Sequence, residues 1–284
     1  MLYRNFIKLA FAAIALSVAS CNRESGSTAQ SDALAPFYYA DTQPKKCCTI
    51  IAHAGGAIDG NAYTNSREAI ERNYAQGTRL FELDFNLTSD GHWVAAHDWS
   101  NWKNKTGFTG ELPPTRDEFM SLPRTYKKAS WSIEGEYSAI DMTGLEAFLS
   151  QHDDAVIVTD MKELEKFPDF VDTILASLKA EQLIFQAYSI ENIELIKSRA
   201  PDAKIILTLY RNGYSPAFFS RLNDKTQDLI GLTAPIRWAN IDSVREQLLK
   251  SGLPVYLHGA PANINSRGLQ TDFAAKGISG FYLD

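Results

Sequence analysis

Residues 79–99, RLFELDFNLTSDGHWVAAHDW, set two acids two positions apart inside an apolar run and close a second run with a histidine. Strand side chains alternate between faces, so Phe81, Leu83 and Phe85 share one face and Glu82 and Asp84 the other. Two like charges buried together raise one pKa and demand a positive neighbour. A divalent cation meets that demand, and so does a cluster of Lys and Arg. The Asp90–Gly91 turn is a hairpin signal that brings His97 back to the level of the acids. In IIAHAGG, His53 closes an earlier apolar run, and the glycines after it let a ligand approach the backbone. In VIVTDMK, Asp160 and Lys162 again stand at i and i+2. A lone histidine in such a run is ordinarily a core residue. Three acids, two histidines and a lysine converging on neighbouring run ends point instead to acid–base chemistry beside a concentrated charge.

Eight apolar runs carry these residues: CTIIAHAG, RLFELDF, AVIVTDMK, LIFQAYS, KIILTLY, DLIGLTAP, PVYLHGAP and ISGFYLD. Amphipathic stretches such as TNSREAIERNYAQG and NIDSVREQLLKSG separate them, with Gly77, Pro201 and Gly252 where helices should end. Short apolar runs between helices describe covered parallel strands of an α/β fold. Eight strands in about 250 residues predict a (β/α)8 TIM barrel. The competing open sheet calls for a G-x-G-x-x-G turn, which HAGGAIDGN does not supply. A β-hairpin and an insertion follow the second barrel strand. The insertion, residues 99–150, holds Trp99, Trp102, Phe108 and Trp131, with short helices near TRDEFMSL and LEAFLSQH. Its aromatics either wall the substrate or pack the insertion onto the barrel. Tyr210, Trp238 and Tyr282 stand near late strand ends and are candidates for the pocket lining. His258 ends the seventh strand, His92 sits in the hairpin turn, and His152 lies in an acidic turn; none is given a role.

The first 20 residues have a basic start (Arg4, Lys8), a short apolar run and small residues before Cys21. That is the plan of a signal peptide, and the run is short for a membrane span. SVASC resembles the lipobox of bacterial lipoproteins, which implies lipidation at Cys21, a polar tether over residues 21–45, and a catalytic domain over residues 46–284. The expected location is the bacterial cell envelope, lipid-anchored after export. Cys47 and Cys48 are adjacent, where a disulfide is strained, and are read as buried or partly buried thiols. With 28 Lys and Arg against 34 Asp and Glu, no basic face for nucleic acid is expected, and no protein partner is implied.

IAHAGG…YTNSREAIERNYAQGTRLFELDFNLTSDGHWVAAHD resembles the glycerophosphodiester phosphodiesterase family of the PI-PLC-like phosphodiesterase superfamily. The family signature runs H-R-G, E-N-T, E-x-D, T-x-D-G and H-D, then acid-x-Lys on the third strand. The resemblance implies Glu82, Asp84 and Asp160 as metal ligands, His53 and His97 as the acid–base pair, and Lys162 as the phosphate-neutralising cation. All-oxygen ligation suits Mg²⁺ or Ca²⁺ rather than zinc. Four positions depart from the pattern: Ala54 replaces the arginine after the first histidine, E-N-T reads Thr64-Asn65-Ser66, so that its acid is absent, and Asp160 replaces the usual glutamate. Arg211, just past the fifth strand, is the candidate for the missing guanidinium. The implied activity is metal-dependent hydrolysis of glycerophosphodiester-like, lipid or envelope phosphodiesters. The alternative is a non-catalytic surface lipoprotein that binds a phosphorylated glycan or lipid headgroup.

Overall fold

Each of the eight apolar runs forms a strand, and together they close a parallel barrel. The computed structural model describes residues 49–130, 132–212, 215–259 and 267–284. The signal, the tether, Cys21, Cys47, Cys48 and Trp131 lie outside the described residues. Barrel strands are β1 (Thr49–Ala52), β2 (Leu80–Leu87), β3 (Val156–Asp160), β4 (Leu183–Ala187), β5 (Lys204–Thr208), β6 (Gly231–Pro235), β7 (Val255–His258) and β8 (Gly280–Leu283). Each pairs in parallel with its sequence neighbours, and β1 closes the ring against both β2 and β8. Gly280 allows the β1–β8 seam, because a Cβ there would run into the Thr49 carbonyl.

Alternation divides the core. Ile51, Leu80, Val156, Val158, Ile184, Ile206, Tyr256 and Tyr282 fill the barrel interior. Phe81, Leu83 and Phe85 face outward into the apolar layer beneath the helices, which leaves Glu82 and Asp84 pointing inward with Leu80. The cover helices are α1 (Arg67–Ala75), α4 (Met142–Gln151), α5 (Phe167–Ser177), α6 (Ile190–Arg199), α7 (Pro216–Asn223), α8 (Asp242–Lys250) and α9 (Arg267–Ala275). Insertion helices α2 (Trp99–Thr106) and α3 (Arg116–Ser121) lie between α1 and α4 in the chain.

Contrary to the sequence expectation, α4 is not part of the insertion. Its apolar positions Leu145, Phe148 and Leu149 fall on one helical face and join the main barrel core, where Phe148 meets Phe81 edge-on at 5.9 Å. It is the barrel's own helix between β2 and β3. The antiparallel hairpin pairs Phe85 with Ala95 and Leu87 with Trp93. The insertion beyond it has a small core of its own: Trp102 is 1% exposed and stacks on Phe119 at 5.5 Å. Trp99 meets the same two rings edge-on. Both tryptophans pack in this cluster, as the packing alternative has it. A buried arginine ties the insertion down. Arg124 donates to the Ala95 carbonyl at 2.6 Å and to the Asn65 carbonyl at 3.4 Å.

Candidate active site

The register of β2 on β3 sets Glu82 against Val158 and Asp84 against Asp160. All three acids are buried, and one oxygen from each lies within 4.8 Å of the others. Two interior positions on one strand and one on the next therefore converge at the C-terminal end of the barrel, where the loops of this fold build their sites.

One cation of the chain already answers part of the charge. Lys162 Nζ lies 2.6 Å from Asp84 Oδ1 and 3.3 Å from Asp160 Oδ2. Burial works against that ammonium, but the charges of Asp84 and Asp160 outweigh it and hold the pKa above the ordinary lysine value. Asp84 is pulled below its ordinary value, since Lys162, His97 and Asn65 outweigh its burial. Glu82 is pushed well above its own, by burial and then by Asp84, and Asp160 is raised by the same two causes. Glu82 Oε2 accepts the Ala54 backbone N–H at 2.8 Å, whereas Oε1 is buried with no hydrogen-bond partner. Three carboxylates against one ammonium, with a bare acceptor among them, fit a hard divalent cation on Glu82, Asp84 and Asp160.

The two histidines flank this cluster, and each has an aspartate on Nδ1. His53, in the tight turn after β1, pairs through Nδ1 with Asp284 Oδ1 at 3.0 Å, while its Nε2 stands 3.8 Å from Glu82 Oε2. His97 Nδ1 pairs with Asp98 Oδ2 at 2.7 Å. An aspartate on Nδ1 fixes the tautomer and leaves Nε2 to exchange protons. Burial lowers the pKa of His53, but the Asp284 hydrogen bond and the charges of Glu82, Asp284 and Asp84 carry it up to about 9. Tyr63 stands between the imidazoles, edge-on to His53 at 4.5 Å and to His97 at 5.6 Å. A cavity of about 250 Å³ is lined by His53, His97, Glu82, Asp160, Lys162 and Tyr63, among others.

All six of the residues read from the β1, β2, hairpin and β3 ends thus come together. Arg211 does not join them in the cavity. It is exposed at the rim, where it lies over the Tyr188 ring at 4.4 Å and donates to the Lys162 carbonyl at 3.0 Å. Tyr210 and Tyr282 line the cavity as expected, and so does His258. Trp238 does not; it is 6% exposed and belongs to the outer core.

Several participants were not read from the sequence. Asp284 is one. Tyr188 is another; its hydroxyl donates to Asp160 Oδ1 from the residue after β4. Asn65 holds Asp84 from two sides, donating through Nδ2 to Oδ2 at 2.9 Å and accepting the Asp84 backbone N–H at 3.0 Å. Within Thr64-Asn65-Ser66, Asn65 takes a left-handed backbone (φ 43°) and Ser66 caps α1 through the Ala69 N–H.

No family model matches the chain, and no curated protein matches it. Solved structures do. A glycerophosphoryl diester phosphodiesterase from Parabacteroides distasonis superposes with a TM-score of 0.64 at 15% identity, over 90% of this chain and 88% of that one. A glycerophosphodiester phosphodiesterase from Thermotoga maritima gives 0.60 at 19% identity, over 84% and 94%. A phosphodiesterase from Oleispira antarctica, in complex with the product sn-glycerol-3-phosphate, gives 0.61 at 18% identity, over 82% and 92%. At these identities the likeness establishes the fold: this chain has the (β/α)8 barrel seen in solved glycerophosphodiester phosphodiesterases.

Proposed function

We propose that the protein is a metal-dependent phosphodiester hydrolase acting on glycerophosphodiester-like substrates. The observation that carries this reading is the opposition of two Asp-bonded histidines across one cavity from a buried three-carboxylate cluster. A pure binding site has no use for a paired acid and base.

Glu82, Asp84 and Asp160 would hold one Mg²⁺ or Ca²⁺. When bound, that cation draws charge from a non-bridging phosphoryl oxygen and offsets what develops at phosphorus. The chain's own residues do the rest. Lys162 presents its ammonium to a second non-bridging oxygen. His53, oriented by Asp284, and His97, oriented by Asp98, form the acid–base pair. One takes a proton at Nε2 from the attacking hydroxyl, and the other delivers one from Nε2 to the departing alkoxide. Tyr63 stands between the two imidazoles. The hydroxyl is water or a neighbouring group of the substrate, and both histidines serve either route.

Phosphorus NMR of a phosphodiester panel tests the reading. The panel spans glycerophosphodiesters, lysophospholipids, phosphoinositides and teichoic-acid-like polymers, each with Mg²⁺ or Ca²⁺ and with EDTA. Cleavage of at least one member should vanish with EDTA, and His53→Ala and His97→Ala should each lower it by about 10²–10⁴-fold. Calorimetric binding of these esters by the metal-loaded protein with no cleaved product would support the non-catalytic alternative instead.

A further inference from the structure

A second recess, of about 320 Å³, opens beside the catalytic cavity where the chain leaves β5, β6 and β7. The two spaces share Tyr210, His258 and Gly259, so a substituent of whatever fills the catalytic cavity can extend past these residues into the recess. Its volume lies at the lower end of the range for small-molecule pockets. The recess continues past these residues along Pro235, Ile236 and Arg237.

Its chemistry differs from that of the cavity it joins. Tyr210, Pro235 and Ile236 make an apolar wall, and among the described residues no carboxylate lines the recess. The His258 imidazole packs edge-on against Tyr210 at 5.4 Å. Burial, helped by the charges of His53 and Arg237, pulls its pKa down to about 4, so at neutral pH it is uncharged. Among the described residues of the lining the one cation is Arg237, which is exposed and makes no hydrogen bond or ion pair with them. A second guanidinium, Arg211, lies 5.8 Å from the Tyr210 ring. An aromatic wall would suit a quaternary ammonium, but two guanidinium groups beside it oppose one.

We propose that this recess seats one alcohol substituent of the phosphodiester and selects a substituent that is apolar and ends in an anionic group, which Arg237 pairs. A carboxylate and a second phosphate present the same chemistry. The assignment rests on the phosphodiesterase reading for what occupies the cavity next door. It also assigns specificity to a part of the mouth that makes no contact with the metal ligands.

Three diesters of sn-glycerol 3-phosphate test it, with 5-carboxypentanol, hexanol or choline as the second alcohol. A fourth ester carries 5-phosphopentanol. The metal-supplemented full chain should show kcat/KM in the order carboxypentyl above hexyl above choline, with the phosphopentyl ester beside the carboxypentyl one. Arg237→Gln should lower the ratio of carboxypentyl to hexyl by about tenfold, the worth of one charged hydrogen bond. Arg237→Glu should move the preference toward choline. Equal kcat/KM for the first three esters, or a ratio that neither variant moves, overturns the recess assignment while leaving the phosphodiesterase reading intact. A non-hydrolysable phosphonate of the carboxypentyl ester separates the two failures by calorimetry. If no ester is cleaved but the phosphonate binds and Arg237→Gln weakens it about tenfold, the recess stands and the hydrolase reading falls. If the phosphonate does not bind, the recess assignment falls with it.

Discussion

His53 Nδ1 and Asp284 Oδ1 lie 3.0 Å apart although 231 positions separate them in the chain. The barrel seam accounts for the pair. Ala52 on β1 is in register with Leu283 on β8, so the residue following each strand stands beside its counterpart. The carboxylate holds the Nδ1 proton and turns Nε2 toward the acids.

Asp284 is a positioning residue in this arrangement, and Asp284→Asn should lower kcat by about 10²-fold with little change in KM. The readout that a merely structural role would not move is the pH at which the His53 ring-nitrogen ¹⁵N shifts titrate, which should fall, because the Asp284 hydrogen bond and charge help to raise it. An unaltered titration midpoint in the variant would remove the orienting role.

Glu82 gives a stability test that needs no substrate. Its Oε1 is buried without a partner and its neighbours Asp84 and Asp160 are acids, so the cation-free protein bears the cost of a crowded, desolvated acidic cluster. Glu82→Gln should raise Tm in EDTA, because it removes that repulsion. In the parent, Mg²⁺ or Ca²⁺ at 100 times Kd should add about 2.7 kcal/mol by linkage. The gain should shrink or vanish in the variant. An equal cation-dependent shift in both proteins would place the cation elsewhere.

Lys162 separates phosphate binding from cation binding. It lies against Asp84 and Asp160, so its ammonium competes with a dication for the same oxygens. Lys162→Met should tighten Mg²⁺ or Ca²⁺ binding in calorimetry while lowering kcat/KM by about 10²–10³-fold. Weaker cation binding in the variant would show that the ammonium supports the acidic cluster instead of competing for it.

Ala54 stands where the resembling family carries arginine, and its surroundings leave no space for one. It is fully buried and holds a left-handed backbone (φ 49°), with its N–H on Glu82. Ala54→Arg should therefore cost about 1–3 kcal/mol by overpacking and should not raise activity. Ala54→Gly, which relieves the backbone, should gain up to about 1 kcal/mol. Thermal denaturation reads both signs, and a stable, more active Ala54→Arg would contradict the assignment.

The parts of this molecule written locally were legible. Eight short apolar runs between amphipathic helices gave the barrel, and the i, i+2 spacing of Glu82 with Asp84 put both inside it, because alternation is a property of a single strand. What closure alone decides was not legible. Nothing near His53 in the sequence names Asp284 as its partner, and nothing in LIFQAYS names Tyr188 as a donor to Asp160. The LEAFLSQH helix was misplaced because a helical period shows that a face is apolar without showing what covers it. Trp238 and Tyr210 read alike as aromatics after late strands, yet one faces the outer core and the other the mouth.

The seam between the first and eighth strands has a consequence for how the protein acquires its chemistry. His53 and Asp284 meet only when the two ends of the chain have been brought together, a contact of very high sequence separation and hence a slow one to form. A chain still being synthesised, or refolding with the ring open, holds His53 without its orienting carboxylate, and under the proposed function it lacks full activity. Recovery of turnover during refolding would then time the joining of the ring, as a clock set to the last event of assembly.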